Sequence, residues 1–323
     1  VTVLKAPNTF ADANAASAYI AECEDAFRRQ VIELTDKLTA LPELHLIGLS
    51  GPTCAGKTTA ADIITKQLQS AGRRVHIISV DDFFREQPHS RRLMSDPDGA
   101  DKLDFDSIDA LDFELFSRTL DKLMKTGRAM MPRFNIGAGI REGFVELNAP
   151  GEEDVFLIEG IQVVYPEVSA LLHEYDYRSV FIRPARALEV GGSLYEPNEI
   201  RLMRRLVRDY HFRASEAAFT FFAWESVREN EEKSIFPYAD SCDEQLDSLM
   251  GYEVGMLRPH LETILSQLPL SSVYRPMADA ILHDISTVQP LISDWLSDHA
   301  LYREFVPMAR FDHSNNTYER GNS

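Results

Sequence analysis

The chain has 323 residues, of which 44% are hydrophobic and 26% charged, with a formal charge of −18 and a pI near 4.9. An acidic balance of this size excludes a general affinity for nucleic-acid phosphates or anionic membranes, which needs a basic face, and no apolar run approaches the ~20 residues of a membrane span. A soluble globular chain with its own core follows, as one large α/β domain or a domain with an extension.

Residues 11–40 place Ala16, Ile20, Phe27, Val31, Ile32 and Leu38 at helical spacing, which predicts a lead-in helix or two ended by Pro42. A short apolar run at 44–49 precedes a Gly-rich turn, and 58–70 then set Ala61, Ile64 and Leu68 on one face ahead of Gly72. That is strand, loop, helix. Residues 75–80 are a second buried-strand candidate, ending in Asp81-Asp82. A polar, Asp-rich connection over 87–107 leads to a helix carrying Leu111, Leu115, Leu120, Leu123 and Met124, stopped by Gly127. The apolar runs at 155–158 and 179–182 are too brief for helices, and strands alternating with helices predict a parallel sheet covered on both faces. From Ile200 the pattern is helical, and after Tyr252 it becomes an all-α extension with a polar tail over 312–323.

Cys23, Cys54 and Cys242 lie far apart with no CxxC pair, which fits a reducing compartment. The first residues carry neither a basic segment before an apolar stretch nor an Arg-rich amphipathic one, so no targeting peptide is read and a cytoplasmic location is expected.

Gly51-Pro52-Thr53-Cys54-Ala55-Gly56-Lys57-Thr58 matches G-x-x-x-x-G-K-[ST] in full, after a strand and before a helix. Its glycines let backbone N–H groups close around phosphate oxygens, Lys57 reaches the β/γ-phosphates and Thr58 ligates Mg²⁺, so Gly51 through Thr59 form the expected site for ATP with Mg²⁺. Asp81, at a strand end where open α/β sheets bind ligands, fits either a general base or a loop cap. Glu159 closes an apolar strand and is a candidate metal ligand beside Thr58. Arg201, Arg204, Arg205 and Arg208 fall at i, i+3, i+4 and i+7, with Arg213 beyond. Such a stripe fits a solvated face paired with carboxylates, or a lid whose arginines bind a phosphoryl group in flight. The nine histidines show no ligand spacing, and Phe219, Phe221, Phe222 and Trp224 read as helix-packing residues.

Together these residues resemble the uridine kinase and phosphoribulokinase family of P-loop kinases, over about 44–247. The resemblance includes Val80-Asp81-Asp82-Phe83-Phe84, Phe105-Asp106-Ser107-Ile108-Asp109-Ala110, Met131-Pro132-Arg133-Phe134 with Arg141, Ile158-Glu159-Gly160-Ile161 and Arg204-Arg205-Leu206-Val207-Arg208-Asp209. A bacterial-type uridine kinase subgroup is similar further on, through Asn230-Glu231-Glu232-Lys233-Ser234-Ile235-Phe236-Pro237-Tyr238 and Tyr302-Arg303-Glu304-Phe305. The N-terminal domain like that of threonyl-tRNA synthetases, which its members often carry, is not among these residues. The resemblance implies Lys57 and Asp81 as catalytic, Asp106 as the carboxylate on ribose hydroxyls, and Arg205, Arg208 and Arg213 as lid or substrate-binding arginines. Phe84, Phe134 and Arg141 fall to the acceptor pocket. Phe84 and Phe134 stand where the uridine kinase pattern has tyrosines, and Gly139 where it has a base-reading His, so weak selection for uridine is expected.

The implied organisation is a helical lead-in over 1–43, an α/β P-loop kinase domain with a helical lid over 44–248, and a helical extension over 249–323. The implied activity is an ATP- and Mg²⁺-dependent kinase acting on a small-molecule acceptor, a nucleoside or related sugar-bearing metabolite, with a homo-oligomer left open. A phosphoribulokinase-like acceptor and a noncatalytic P-loop regulatory module are the alternatives. A GTPase would usually carry N-K-x-D, which is missing from the sequence.

Overall fold

A computed structural model describes residues 2–41, 43–86, 107–136 and 138–307. Pro42, the connection over 87–106 with Phe105 and Asp106, and the polar tail over 312–323 lie outside the described residues. In chain order the regular elements are β1 (Val3–Lys5), α1 (Ala13–Thr39), β2 (Leu46–Ser50), α2 (Lys57–Ser70), β3 (Arg74–Ser79) and α3 (Phe113–Thr126). The hairpin β4 (Arg128–Asn135) and β5 (Ile140–Asn148) follows, then β6 (Asp154–Glu159), α4 (Pro166–Leu172), β7 (Tyr177–Arg183), β8 (Ala187–Val190) and β9 (Ser193–Tyr195). The remainder comprises α5 (Pro197–Arg213), α6 (Ala217–Ser234), α7 (Phe236–Ala239), β10 (Glu244–Asp247), α8 (Glu253–Ser266) and α9 (Arg275–Ile285).

The apolar runs become a five-stranded sheet in the order β10-β7-β2-β6-β3, with every neighbouring pair parallel. Alternating side chains go to opposite faces. Ile47, Leu49, Val155, Leu157, Val180 and Ile182 pack with α1, α2, α5 and α8, whereas Leu46, Phe156 and Ile158 meet α3 and α4. Burial on both faces explains why the inner strands are continuously hydrophobic, and each fully buried Leu or Ile contributes roughly 1.5–3 kcal/mol. β3 departs from the buried strand expected at 75–80. It is the sheet's edge, and Ile77 is half-exposed because among the described residues no further strand or helix covers it.

The lead-in is one helix. Asp12 caps α1 by accepting the Ala15 N–H at 2.8 Å, no Gly or Pro interrupts it, and its stripe from Ala16 to Leu38 enters the same core as α2 and α8. The helix at 113–126 begins at the Asp112 cap and stops at Gly127, whose φ of 66° and close approach to Pro150, 2.5 Å from a would-be Cβ, suit only glycine. Among the described residues no helix is long and apolar enough to cross a membrane.

Candidate nucleotide and acceptor site

The chain leaves the centre of the sheet at Ser50 and turns at once into the loop that starts α2. A Cβ on Gly51 would lie 2.1 Å from the Ile182 carbonyl oxygen, so the loop's close approach to β7 requires glycine. Cys54 and Gly56 have φ of 58° and 93°, left-handed turns that gather successive N–H groups around one concavity. Gly56, at the N-cap of α2, offers no side chain to the first-turn N–H groups. Lys57 folds back over the loop, its Nζ donating to the carbonyls of Gly51 at 2.8 Å and Pro52 at 3.1 Å. Thr58 is exposed.

Two arginines of α5 hold this loop from behind. Arg201, 1% exposed, donates to Thr53 O at 3.2 Å and forks onto Glu231 at 2.5 and 2.7 Å. Arg204, 0% exposed, donates to Cys54 O at 3.0 Å and Ser248 O at 2.7 Å and forks onto Glu253 at 2.9 and 2.5 Å. A trans peptide points its C=O and N–H in opposite directions. Fixing the Thr53 and Cys54 carbonyls backward therefore turns the N–H groups of Cys54 and Ala55 toward the other side. Burial works against the charge of Arg204, but Glu253 outweighs it and holds the guanidinium pKa above its ordinary value. The solvated-face reading of the stripe fails for these two residues, because both are fully enclosed and ion-paired inside the core.

The other arginines converge on one carboxylate. Arg205 meets Asp209 at 3.2 Å, Arg208 at 2.8 and 2.9 Å, and Arg213 at 3.6 Å. Arg205 and Arg208 remain partly accessible, Arg213 more so, and Arg205 also lies 5.9 Å from the Trp224 ring centre.

Three adjacent strand ends line up the remaining chemistry. Leu49 of β2 and Ser79 of β3 both stand in register with Glu159 of β6, and the Ser79 hydroxyl donates to Glu159 Oε1 at 2.6 Å. Asp81 follows in the short turn Val80–Phe83. Asp82 accepts the Phe134 N–H at 3.0 Å, which ties β4 to this turn. Phe84 and Phe134 meet edge-to-face at 5.9 Å, and Arg141 donates to Phe84 O at 3.1 Å and Asp112 at 3.3 Å. These three predicted acceptor residues are thus brought together. A separate cavity of about 420 Å³, whose lining includes none of these three, opens between residues 107–109 and α6, lined by Ser107, Asp109, Tyr165, Glu229, Asn230 and Lys233.

Sequence reading missed the acidic partners Glu231 and Glu253, and it missed Glu304, whose Oε1 accepts the Thr59 N–H at 2.6 Å. The sequence marks Glu304 only as part of Tyr302-Arg303-Glu304-Phe305 and gives it no role. Among the described residues no group of three or more His, Cys, Asp and Glu is arranged to hold a metal by itself.

Residues 46–251 match the sequence model of the Phosphoribulokinase / Uridine kinase family. The chain is 26% identical to a uridine kinase of Aliivibrio salmonicida over 236 residues, 68% of this chain and 94% of that protein. It is 30% identical to uridine-cytidine kinase B of Dictyostelium discoideum over 164 residues, 51% of this chain and 58% of that one. Among solved structures, phosphoribulokinase from Rhodobacter spheroides aligns over 76% of this chain and 100% of its own at 12% identity, with a TM-score of 0.43.

Proposed function

The chain belongs to the phosphoribulokinase / uridine kinase family, and from that premise we propose that this small-molecule kinase transfers the γ-phosphoryl group of ATP to a hydroxyl of a nucleoside or related sugar-bearing metabolite. The observation that carries the reading is the loop from Gly51 to Thr58. Its glycine positions are sterically required and its carbonyls are tied away from the concavity. Such a loop suits phosphate rather than an apolar ligand.

Mg²⁺ is held in such sites through one or two protein oxygens plus the nucleotide phosphates, so the lack of an all-protein cage among the described residues is no obstacle. Thr58 and Glu159 would hold it, and the bound ion would neutralise charge on the phosphates. Asp81 lies at the end of β3, two strand spacings or about 10 Å from β2, with Glu159 between them. That separation leaves room for an acceptor hydroxyl. As its oxygen bonds to the γ-phosphorus, the hydroxyl proton passes to Asp81, the bond to the bridging oxygen breaks, and ADP leaves. Arg205, Arg208 and Arg213 are assigned to the charge on the transferred group. Asp106 is assigned to ribose hydroxyls, and Phe84, Phe134 and Arg141 to contacts with the rest of the acceptor.

Two aromatic rings supply stacking surface rather than a hydrogen-bonding edge, so base selection should be weak. ADP release measured with uridine, cytidine, adenosine, ribose and 2′-deoxynucleosides tests this. Turnover is expected with ribosides, with kcat/KM varying by no more than roughly the 10–200-fold that apolar pockets achieve. ADP release indifferent to every acceptor would point to a nucleotide-binding module, and equal use of 2′-deoxy substrates would remove the role given to Asp106.

A further inference from the structure

Thr59 is the third residue of α2, and its N–H belongs with those of Lys57 and Thr58 to the set that a P-loop presents to the α/β-phosphates. In this chain that N–H already has an anion: Glu304 Oε1, at 2.6 Å. The carboxylate arrives from the C-terminal extension, 245 residues away in sequence.

The fold puts it there deliberately. Glu304 sits on the turn Leu301–Glu304, which is anchored to α1, to the phosphate loop and to the residues behind it. The Leu301 N–H donates to Glu24 of α1 at 2.9 Å, and the Leu301 side chain packs against Gly56, 2.9 Å from a would-be Cβ. The Tyr302 hydroxyl bonds the Glu253 carboxylate, and the Tyr302 and Phe305 rings lie 5.4 and 5.1 Å from the Arg204 guanidinium. With the segment fixed at these points, only the Glu304 side chain has to turn to free the N–H. Burial pushes its carboxyl pKa up, against the pull of Thr59, Lys57 and Arg204, so docking the charge is costly.

A carboxylate and a phosphate oxygen compete for one N–H, and two like charges at such range repel. We infer that Glu304 is an internal anion that competes with the nucleotide's phosphate for the Thr59 N–H, so that the C-terminal extension sets the affinity of the site for phosphorylated nucleotides. This rests on the assignment of Gly51–Thr59 to ATP.

The test is calorimetric titration of the whole chain and of its Glu304→Ala and Glu304→Gln variants with ADP and, separately, adenosine. If the carboxylate is docked about nine-tenths of the time, Glu304→Ala tightens ADP binding about tenfold. Gln keeps an acceptor without the charge and falls between. Adenosine, which has no phosphate, binds all three proteins alike. Unchanged or weaker ADP binding by Glu304→Ala, with Glu304→Gln agreeing, overturns the inference, as does equal tightening for adenosine, which would mean general loosening. Failure of the wild type and both variants to bind ADP removes the P-loop assignment itself and the inference with it.

Discussion

Helix α5 carries two kinds of arginine within one sequence stripe. Arg201 and Arg204 are fully enclosed, each forked onto its own buried glutamate and each donating to a carbonyl of the phosphate loop. Arg205, Arg208 and Arg213 share the single carboxylate of Asp209 and keep access to solvent. One carboxylate cannot saturate three guanidinium groups, so the outer set retains donors for phosphate oxygens, whereas Arg204 has all five of its donors engaged and Arg201 four of five. Arg201 and Arg204 share their charge and their spacing with Arg205 and Arg208. Burial and the number of counter-ions separate a scaffold arginine from one available to substrate.

The largest effect that would sharpen this contrast is on stability. Replacing Arg204 by Ala leaves Glu253 buried without its counter-ion, and breaking such a pair costs about 3–5 kcal/mol. Urea unfolding of Arg204→Ala should show that loss, while Arg208→Ala should lose less, because Asp209 keeps Arg205 and Arg213 as counter-ions. Equal destabilisation by the two would erase the distinction between scaffold and site. Asp81→Asn should behave oppositely to Arg204→Ala. Stability is retained, ADP affinity is little changed, and kcat at saturating acceptor falls by ~10² or more, the usual contribution of a general base. An unaltered kcat would return Asp81 to loop capping.

What the sequence made legible follows the same division. The loop and the places of Lys57, Thr58, Asp81 and Glu159 at helix and strand ends were readable because they rest on residue type at fixed spacing beside short apolar runs. The buttress was not, because Glu231, Glu253 and Glu304 meet their partners across 30, 49 and 245 residues. No local pattern announces such pairs. The β4–β5 hairpin was missed for another reason: Met130, Phe144 and Val145 are half-exposed and Pro132 interrupts the run, so neither alternation nor continuous burial marks it. β1 has three residues and pairs with β8 near residue 187, too short and too remote to be read.

The smallest expected effect bears most directly on the outer arginines. Arg205→Ala and Arg208→Ala should each lower kcat/KM by about tenfold to a hundredfold. That is below the 10²–10³ typical of an enclosed donor to a developing charge, because both are partly solvated and already engaged by Asp209. The loss should fall on kcat rather than on KM for ATP, since a group that acts on the phosphoryl in transit strengthens its contact only in the transition state. Lysine should rescue poorly at either position, as it cannot present the planar fork. Asp209→Asn discriminates further: it weakens the hold on all three side chains without removing any of them. If Asp209 positions the arginines, this variant loses activity nearly as far as Arg208→Ala while unfolding at a similar urea concentration. If Asp209→Asn leaves kcat/KM unchanged and both arginine variants cost less than about twofold, the outer set is a solvated face after all, and α5 would contribute only the buried arginines that support the phosphate loop.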